Sequence, residues 1–175
     1  MERGDWRLAE LFLKRQEGRA VAAKITYLGQ TALHVAVWAG HEEIVEKLVN
    51  LMLEEDLEIL NKMGNTALAN SINAGNLRMA ACMLRKNKKL VCIENDYQQI
   101  PVIQALGYGH IQLARYLYTL TPLGDLTRKK PANGAAVCIQ AIYNRCFGKN
   151  SSFNNLLPCF LTPSSPLIAI HFIFS

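Results

Sequence analysis

The chain has 175 residues, of which 50% are hydrophobic and 19% are charged, enough apolar material for one ordinary domain or a short repeat array. This composition excludes wholesale disorder, and 11 glycines with 6 prolines exclude collagen-like sequence. Residues 1–125 carry 14 Lys/Arg and 14 Asp/Glu, so the net charge of +5 comes from the last 50 residues. A basic tail on a neutral body argues against a nucleic-acid-binding domain, because such binding needs a clustered basic face.

The cysteines, the N-terminal residues and the lengths of the apolar stretches indicate the cellular compartment of the protein. Five cysteines without a Cys-x-x-Cys pair favour reduced thiols and a cytosolic location. Charged residues follow Met1 where a secretory signal would have an apolar core. The apolar stretch 167–174 is far shorter than the ~18–20 residues that span a bilayer.

A repeat of about 35 residues runs through the chain. Its central glycines recur at intervals of 35 and 34 residues, at Gly40, Gly75 and Gly109. Before each glycine, a first helix is predicted to start at a residue suited to a helix N-terminus, near Thr31, Thr66 and Pro101. The glycine then ends that helix, because Gly adopts the left-handed conformation at low cost.

A second amphipathic helix is predicted after each glycine. Apolar residues follow at the offsets i, i+1, i+4 and i+5, which form one helical face, as in Ile44, Val45, Leu48 and Val49. One such helix pair cannot bury its apolar face alone, whereas stacked pairs can. The spacing therefore predicts an all-α solenoid of stacked helix–turn–helix units with incomplete terminal repeats.

The predicted organisation places a repeat array over residues 1–146. In chain order it comprises a half repeat at 1–24, full repeats at about 25–59, 60–93 and 94–128, and a partial repeat at 129–146. Asn133, Gly134 and the stretch 135–143 are predicted to form the first helix of the fourth repeat. Residues 147–175 are predicted to be a divergent tail, because three prolines there argue against a continuing helix.

The first full repeat carries a recognisable motif. Thr31, Leu33, His34 and Ala36, followed by Gly40, resemble the ankyrin repeat, whose pattern is T-P-L-H-x-A and then G-H. The later repeats keep part of this motif, at Thr66, Leu68 and Gly75 and at Pro101, Ala105 and Gly109. The resemblance implies that His34 bonds Thr31 and braces the next loop, a structural role and not a catalytic one.

Short strings narrow the resemblance further. Gly4-Asp5-Trp6, the stretch 23–26 and the stretch 61–68 look like the ankyrin region of plant membrane-anchored ankyrin-repeat proteins of the accelerated-cell-death and salt-tolerance type. Those proteins carry a C-terminal PGG domain and membrane helices, and we expect neither in this chain. The resemblance implies a role in defence or stress signalling and association with full-length relatives. The tail is either a shortened or run-on C-terminus or a genuine divergent one.

The titratable residues show no pattern typical of an enzyme. No two His share a helix at i, i+4, and the cysteine spacings differ from those of zinc knuckles. We therefore expect no catalytic residue, no cofactor and no metal, and no small-molecule substrate.

We expect instead that the chain binds another protein through its loop tips and first helices. The loop-tip candidates are Tyr27, Leu28, Lys62, Met63, Asp96, Tyr97 and Gln98, and the helix candidates are Val35, Trp38, Asn70, Asn73, Gln104 and Tyr108. Aromatic side chains would serve as rigid anchors, and Lys62 and Gln104 would add polar specificity. The alternatives are nucleic-acid or anionic-lipid binding through the basic segments 85–89 and 128–130, or a fragment without independent function.

Overall fold

The computed structural model describes residues 21–126 and 131–144, and α-helices make up most of their regular structure. The α-helices are α1 Ala32–Trp38, α2 Glu42–Leu51, α3 Ala67–Asn73, α4 Leu77–Lys86, α5 Pro101–Gly107, α6 Ile111–Leu120, α7 Leu123–Leu126 and α8 Pro131–Tyr143. Two 3-10 helices lie at Glu55–Glu58 and Lys88–Cys92. Within these ranges there is no strand beyond a single bridge between Lys24 and Thr31, so the predicted all-α class is confirmed.

The first helix of each repeat begins where the sequence predicts. Thr31 and Thr66 are the N-cap residues of α1 and α3, both with extended backbone. The Thr66 hydroxyl accepts a hydrogen bond from the Ala69 backbone N–H at 3.2 Å, which satisfies one donor that the helix leaves unpaired. In the third repeat Pro101 is the first residue of α5, where its missing N–H needs no partner.

A left-handed glycine reverses the chain after each first helix. Gly40, Gly75 and Gly109 have φ angles of 76°, 68° and 75°. Next to Gly40, the His41 N–H donates to the Ala36 carbonyl at 3.1 Å, so the turn pairs a carbonyl at the end of α1. The predicted helix ends at these glycines are confirmed.

Neighbouring helix pairs stack on one another. α1 packs on α3, α3 on α5 and α5 on α8, while α2 packs on α4. The interfaces form one continuous core whose fully buried side chains include Leu33, Leu68 and Leu106. α8 thus packs on α5 as α5 packs on α3. The helix begins at Pro131, a residue suited to a first turn, and contains the stretch 133–143 in which a helix is predicted.

Polar side chains tie α2 to the next repeat. The Lys86 ammonium donates to the carbonyls of Val49 and Asn50, at 2.6 and 3.2 Å, near the C-terminal end of α2. At the other end of α2, the Glu42 carboxylate accepts from Asn76 Nδ2 at 2.9 Å and from the Arg78 guanidinium at 3.0 Å. Both contacts complement the helix dipole, since a cation lies at the C-terminus and an acid at the N-terminus.

Replacing Gly75 by Ala should destabilise the protein more than replacing Gly40 by Ala. Both positions have positive φ, so either alanine costs about 1–2 kcal/mol. A Cβ at residue 75 would lie 2.7 Å from His110 Cε1, whereas one at residue 40 would meet nothing within 4 Å. Urea unfolding of the two variants measures the difference. Equal losses would contradict the close contact between Gly75 and His110.

Candidate functional site

The loop before α3 is organised by one amide side chain. Asn61 Oδ1 accepts hydrogen bonds from the backbone N–H groups of Met63, at 2.9 Å, and of Asn65, at 3.1 Å. The Asn61 N–H donates to the Asn65 carbonyl at 3.0 Å. These bonds replace backbone pairing and present Lys62 and Met63 at the tip of the loop.

The loop before α5 repeats this design one repeat later. Asn95 Oδ1 accepts from the N–H groups of Tyr97 and Gln99, both at 3.0 Å. In this loop the residue with left-handed backbone is Gln98, with φ of 59°. The corresponding residue of the loop before α3 is Gly64, with φ of 65°. Gln98 is the one non-glycine residue with positive φ among the residues described. The loop before α5 thus takes the same shape as the loop before α3, at a higher conformational cost.

His34 joins the first repeat to the second. Its ring is 2% exposed. Nδ1 lies 2.9 Å from Thr31 Oγ1 and 3.3 Å from the Thr31 backbone N–H, and Nε2 lies 3.1 Å from the Asn65 carbonyl oxygen. Because a carbonyl only accepts, Nε2 carries the proton and Nδ1 accepts from Thr31. The neutral ring therefore connects the cap of α1 to the loop before α3.

Burial keeps this histidine neutral. Loss of solvent lowers the pKa of His34 below 6.5, and the positive charge of Lys24 acts in the same direction. The hydrogen bond to the Asn65 carbonyl opposes the shift without cancelling it. Protonation would place a charge in the core and would turn Nδ1 from an acceptor into a donor facing the Thr31 N–H.

A groove of about 600 Å³ lies between the first two repeats, on the side of the loop tips and first helices. Its apolar lining includes Leu28, Trp38 and Met63, and its polar lining includes Asn70 and Asn73 of α3. Five of the sequence candidates thus line one cavity. The groove is also lined by residues absent from the sequence predictions: Gln30, Asn61, Asn65 and Ala74.

The remaining loop-tip candidates are exposed outside this groove. Tyr27 is 87% exposed, and the Lys62 ammonium lies 4.3 Å from the centre of its ring, a cation–π contact. Asp96, Tyr97 and Gln98 are exposed at the next loop tip.

Among the helix candidates, one placement was wrong. Gln104 is only 4% exposed, and its Nε2 donates to the Gln99 carbonyl at 2.9 Å. It therefore supports its own loop and is unavailable for polar specificity toward a partner. Val35 is exposed on α1, and Tyr108 is exposed with its ring stacked on His110 at a centroid separation of 6.2 Å.

The basic segment 85–89 offers less positive charge than its sequence indicates. The Lys86 ammonium is committed to carbonyls of α2. Asn87 is buried, and its Nδ2 donates to the Glu54 carbonyl and to Glu58 Oε1, both at 2.8 Å. An acidic 3-10 helix thus adjoins the segment and offsets its field. The second basic segment, 128–130, lies outside the described residues.

Three further observations on the described ranges concern a cysteine thiol, metal ligands and membrane-spanning helices. Burial raises the pKa of the Cys82 thiol, which keeps it protonated and a poor nucleophile. No group of three His, Cys, Asp or Glu side chains in 21–126 and 131–144 is arranged to hold a metal ion. No helix in these ranges has both the length and the apolar character to cross a bilayer.

Acidification should destabilise the protein through His34. Since the pKa of His34 is lower in the folded state than 6.5, the unfolded chain binds the proton first. The free energy of unfolding should therefore be insensitive to this residue above about pH 6.5 and fall below it, by up to about 1.4 kcal/mol per pH unit. Urea unfolding of wild type and His34→Gln between about pH 7.5 and 5 tests this. Parallel pH profiles would contradict it, since the other groups titrate in both proteins.

Replacing Gln98 by Gly should raise the free energy of unfolding by about 0.5–1 kcal/mol. A left-handed conformation costs a residue with a side chain about 1–2 kcal/mol, and glycine avoids that cost. The larger backbone entropy that glycine loses on folding offsets part of this gain. Gln99→Gly, one residue along at an exposed position without positive φ, is the control and should destabilise. Thermal unfolding of both variants measures the effect, and a lower melting temperature for Gln98→Gly would contradict it.

Comparison with known proteins agrees with the fold. The family model of the ankyrin repeat matches residues 28–62, which include α1, α2 and the first two residues of the loop before α3, Asn61 and Lys62. No curated protein matches the chain. The all-helical stack described here is consistent with the ankyrin-repeat helical solenoid. The match supports an ankyrin-repeat family for this chain, and ankyrin repeats are protein–protein interaction modules that are generally not enzymes.

Proposed function

We propose that this chain binds a partner protein in the groove between its first two described repeats. The observation that carries the proposal is the convergence of three large, exposed apolar side chains there. Trp38 is 83% exposed, Met63 58% and Leu28 42%, and all three line one cavity. Trp is among the residues most enriched in binding hot spots, and Met is enriched in interfaces. A cluster of this kind on a folded surface is typical of an interaction site.

The groove is held in shape before any partner arrives. Asn61 fixes the loop that carries Met63, and His34 attaches the same loop to α1 through the Asn65 carbonyl. Trp38 lies at the end of α1, a helix packed on α3. Because these groups need little ordering on association, less binding free energy is lost to conformational entropy.

The cellular setting is a further part of the proposal. The strings that resemble plant membrane-anchored ankyrin proteins support a role in stress or defence signalling, in the cytosol. They also support association with related proteins of that type. We also propose the domain organisation at the two ends of the array: a half repeat at 1–24, a partial repeat at 129–146 and a divergent tail at 147–175.

Replacing Trp38 by Ala should strongly reduce partner capture without unfolding the protein. The side chain is exposed, so its removal leaves no cavity in the core. Wild type, Trp38→Ala and the control Leu53→Ala, also at an exposed apolar residue, would be immobilised and exposed to extract from the source cells. We expect one or more proteins to be retained by wild type and by the control, and reduced at least about tenfold on Trp38→Ala.

Two results would contradict the proposal. One is an unchanged set of retained proteins on Trp38→Ala, with far-UV circular dichroism showing that all three proteins are folded. The other is retention that disappears in moderate salt and follows Arg85, Lys88 and Lys89, which would favour the basic segment and an anionic ligand.

A further inference from the structure

The groove has a chemistry that selects among protein partners. We infer that its occupant is an extended, uncharged segment of a partner polypeptide, anchored by one large apolar side chain; this inference rests on the proposed function. Three observations carry it: the amides that line the groove, the absence of charge from its lining, and the placement of its apolar side chains.

Three amide side chains in the groove make no hydrogen bond that the fold needs, unlike Asn61, which holds the loop. Asn65, Asn70 and Asn73 donate and accept no side-chain hydrogen bond within the described parts of the chain, although Asn65 and Asn70 are half-buried. By contrast, the amides of Asn76 and Asn87 are committed to structure, through Glu42 and Glu58. Asn70 and Asn73 stand three residues apart on α3 and so share one helix face.

A free amide offers two N–H donors and a carbonyl acceptor, which complement the C=O and N–H of a peptide group. In a helix those backbone groups are already paired within the segment. An extended segment leaves them available, and it is therefore the form of polypeptide that these amides fit best.

The lining carries no charged side chain. It consists of apolar residues and neutral amides, and the adjoining Lys62 ammonium is directed onto the ring of Tyr27. A charged partner side chain would lose hydration here without meeting an opposite charge, which is costly. Charge complementarity thus favours a neutral segment and predicts binding that salt hardly affects.

The apolar part of the lining defines the anchor. Leu28 comes from one loop tip, Met63 from the next and Trp38 from the end of α1, so the three side chains surround the cavity from different elements. Leu, Met and Trp offer no hydrogen-bond acceptor of note, which suits a large aliphatic or aromatic side chain. The volume of about 600 Å³ leaves room for that side chain and the backbone beside it.

The test begins with a displayed library of random 12-residue peptides selected on the full 175-residue chain. We expect the enriched peptides to share a large apolar residue flanked by uncharged residues. One enriched peptide, made synthetically, would then be measured by isothermal titration calorimetry. Its Kd should change less than about twofold between low and high salt. It should weaken at least about tenfold when a backbone amide beside the anchor is N-methylated, since that removes a donor.

Two matched variants locate the site. Asn70→Asp introduces a negative charge into the groove with almost no change in shape, and should weaken the peptide at least about tenfold. Asn50→Asp makes the same change at an exposed position on α2 and should leave the Kd unaltered. Circular dichroism of each variant confirms that it is folded.

The outcomes separate this inference from the proposed function. If the enriched peptides are charged, or weaken steeply with salt, yet are lost on Trp38→Ala, the groove binds proteins but the inferred chemistry is wrong. If no peptide is enriched, or the N-methylated peptide binds as well as its parent, the inference is likewise overturned. If the peptides bind Trp38→Ala, Asn70→Asp and wild type alike, both the inference and the proposed function fail.

Discussion

A pair of short helices cannot bury both of its apolar faces, and this constraint determines the rest of the structure. Each repeat here meets it by packing on the next, α1 on α3 and α3 on α5, so the core is a series of shared interfaces. The polar contacts follow the same rule, because Lys86 and Asn76 both pair with groups in the preceding repeat. Stability in such an array is carried by the interfaces between repeats more than by any repeat alone.

The groove is a product of this stacking. Its walls come from two repeats, and the separation of Trp38 from Met63 depends on how α1 and α3 pack. His34 contributes directly, because its neutral ring holds the loop of the second repeat against the cap of the first. A change in the core that altered this stacking would therefore alter the binding surface, even at a residue that touches no partner.

Much of the fold could be predicted, because the same sequence motif recurs in successive repeats. The glycine spacing gave the helix ends, and the Thr31 and Thr66 motifs gave the helix starts. Whether a side chain is buried at a given position of the repeat was harder to predict, because burial depends on the length of that side chain. Val35 and Gln104 hold equivalent places, yet only Gln104 reaches a neighbouring carbonyl and is buried. The loop amides were missed although Asn61 and Asn95 stand 34 residues apart, a signal that the repeat comparison could have included.

The structure implies that the groove exists, rigid and preformed, in the free protein. Hydrogen exchange of the Met63 and Asn65 backbone amides tests it most directly, since both donate to Asn61 Oδ1 at the groove lining. We predict that both exchange many-fold more slowly than the same amides in an unstructured peptide, and that Asn61→Ala removes this protection. Exchange of both amides at the unprotected rate in the wild-type protein would contradict the account, because the loop would then be open in solution.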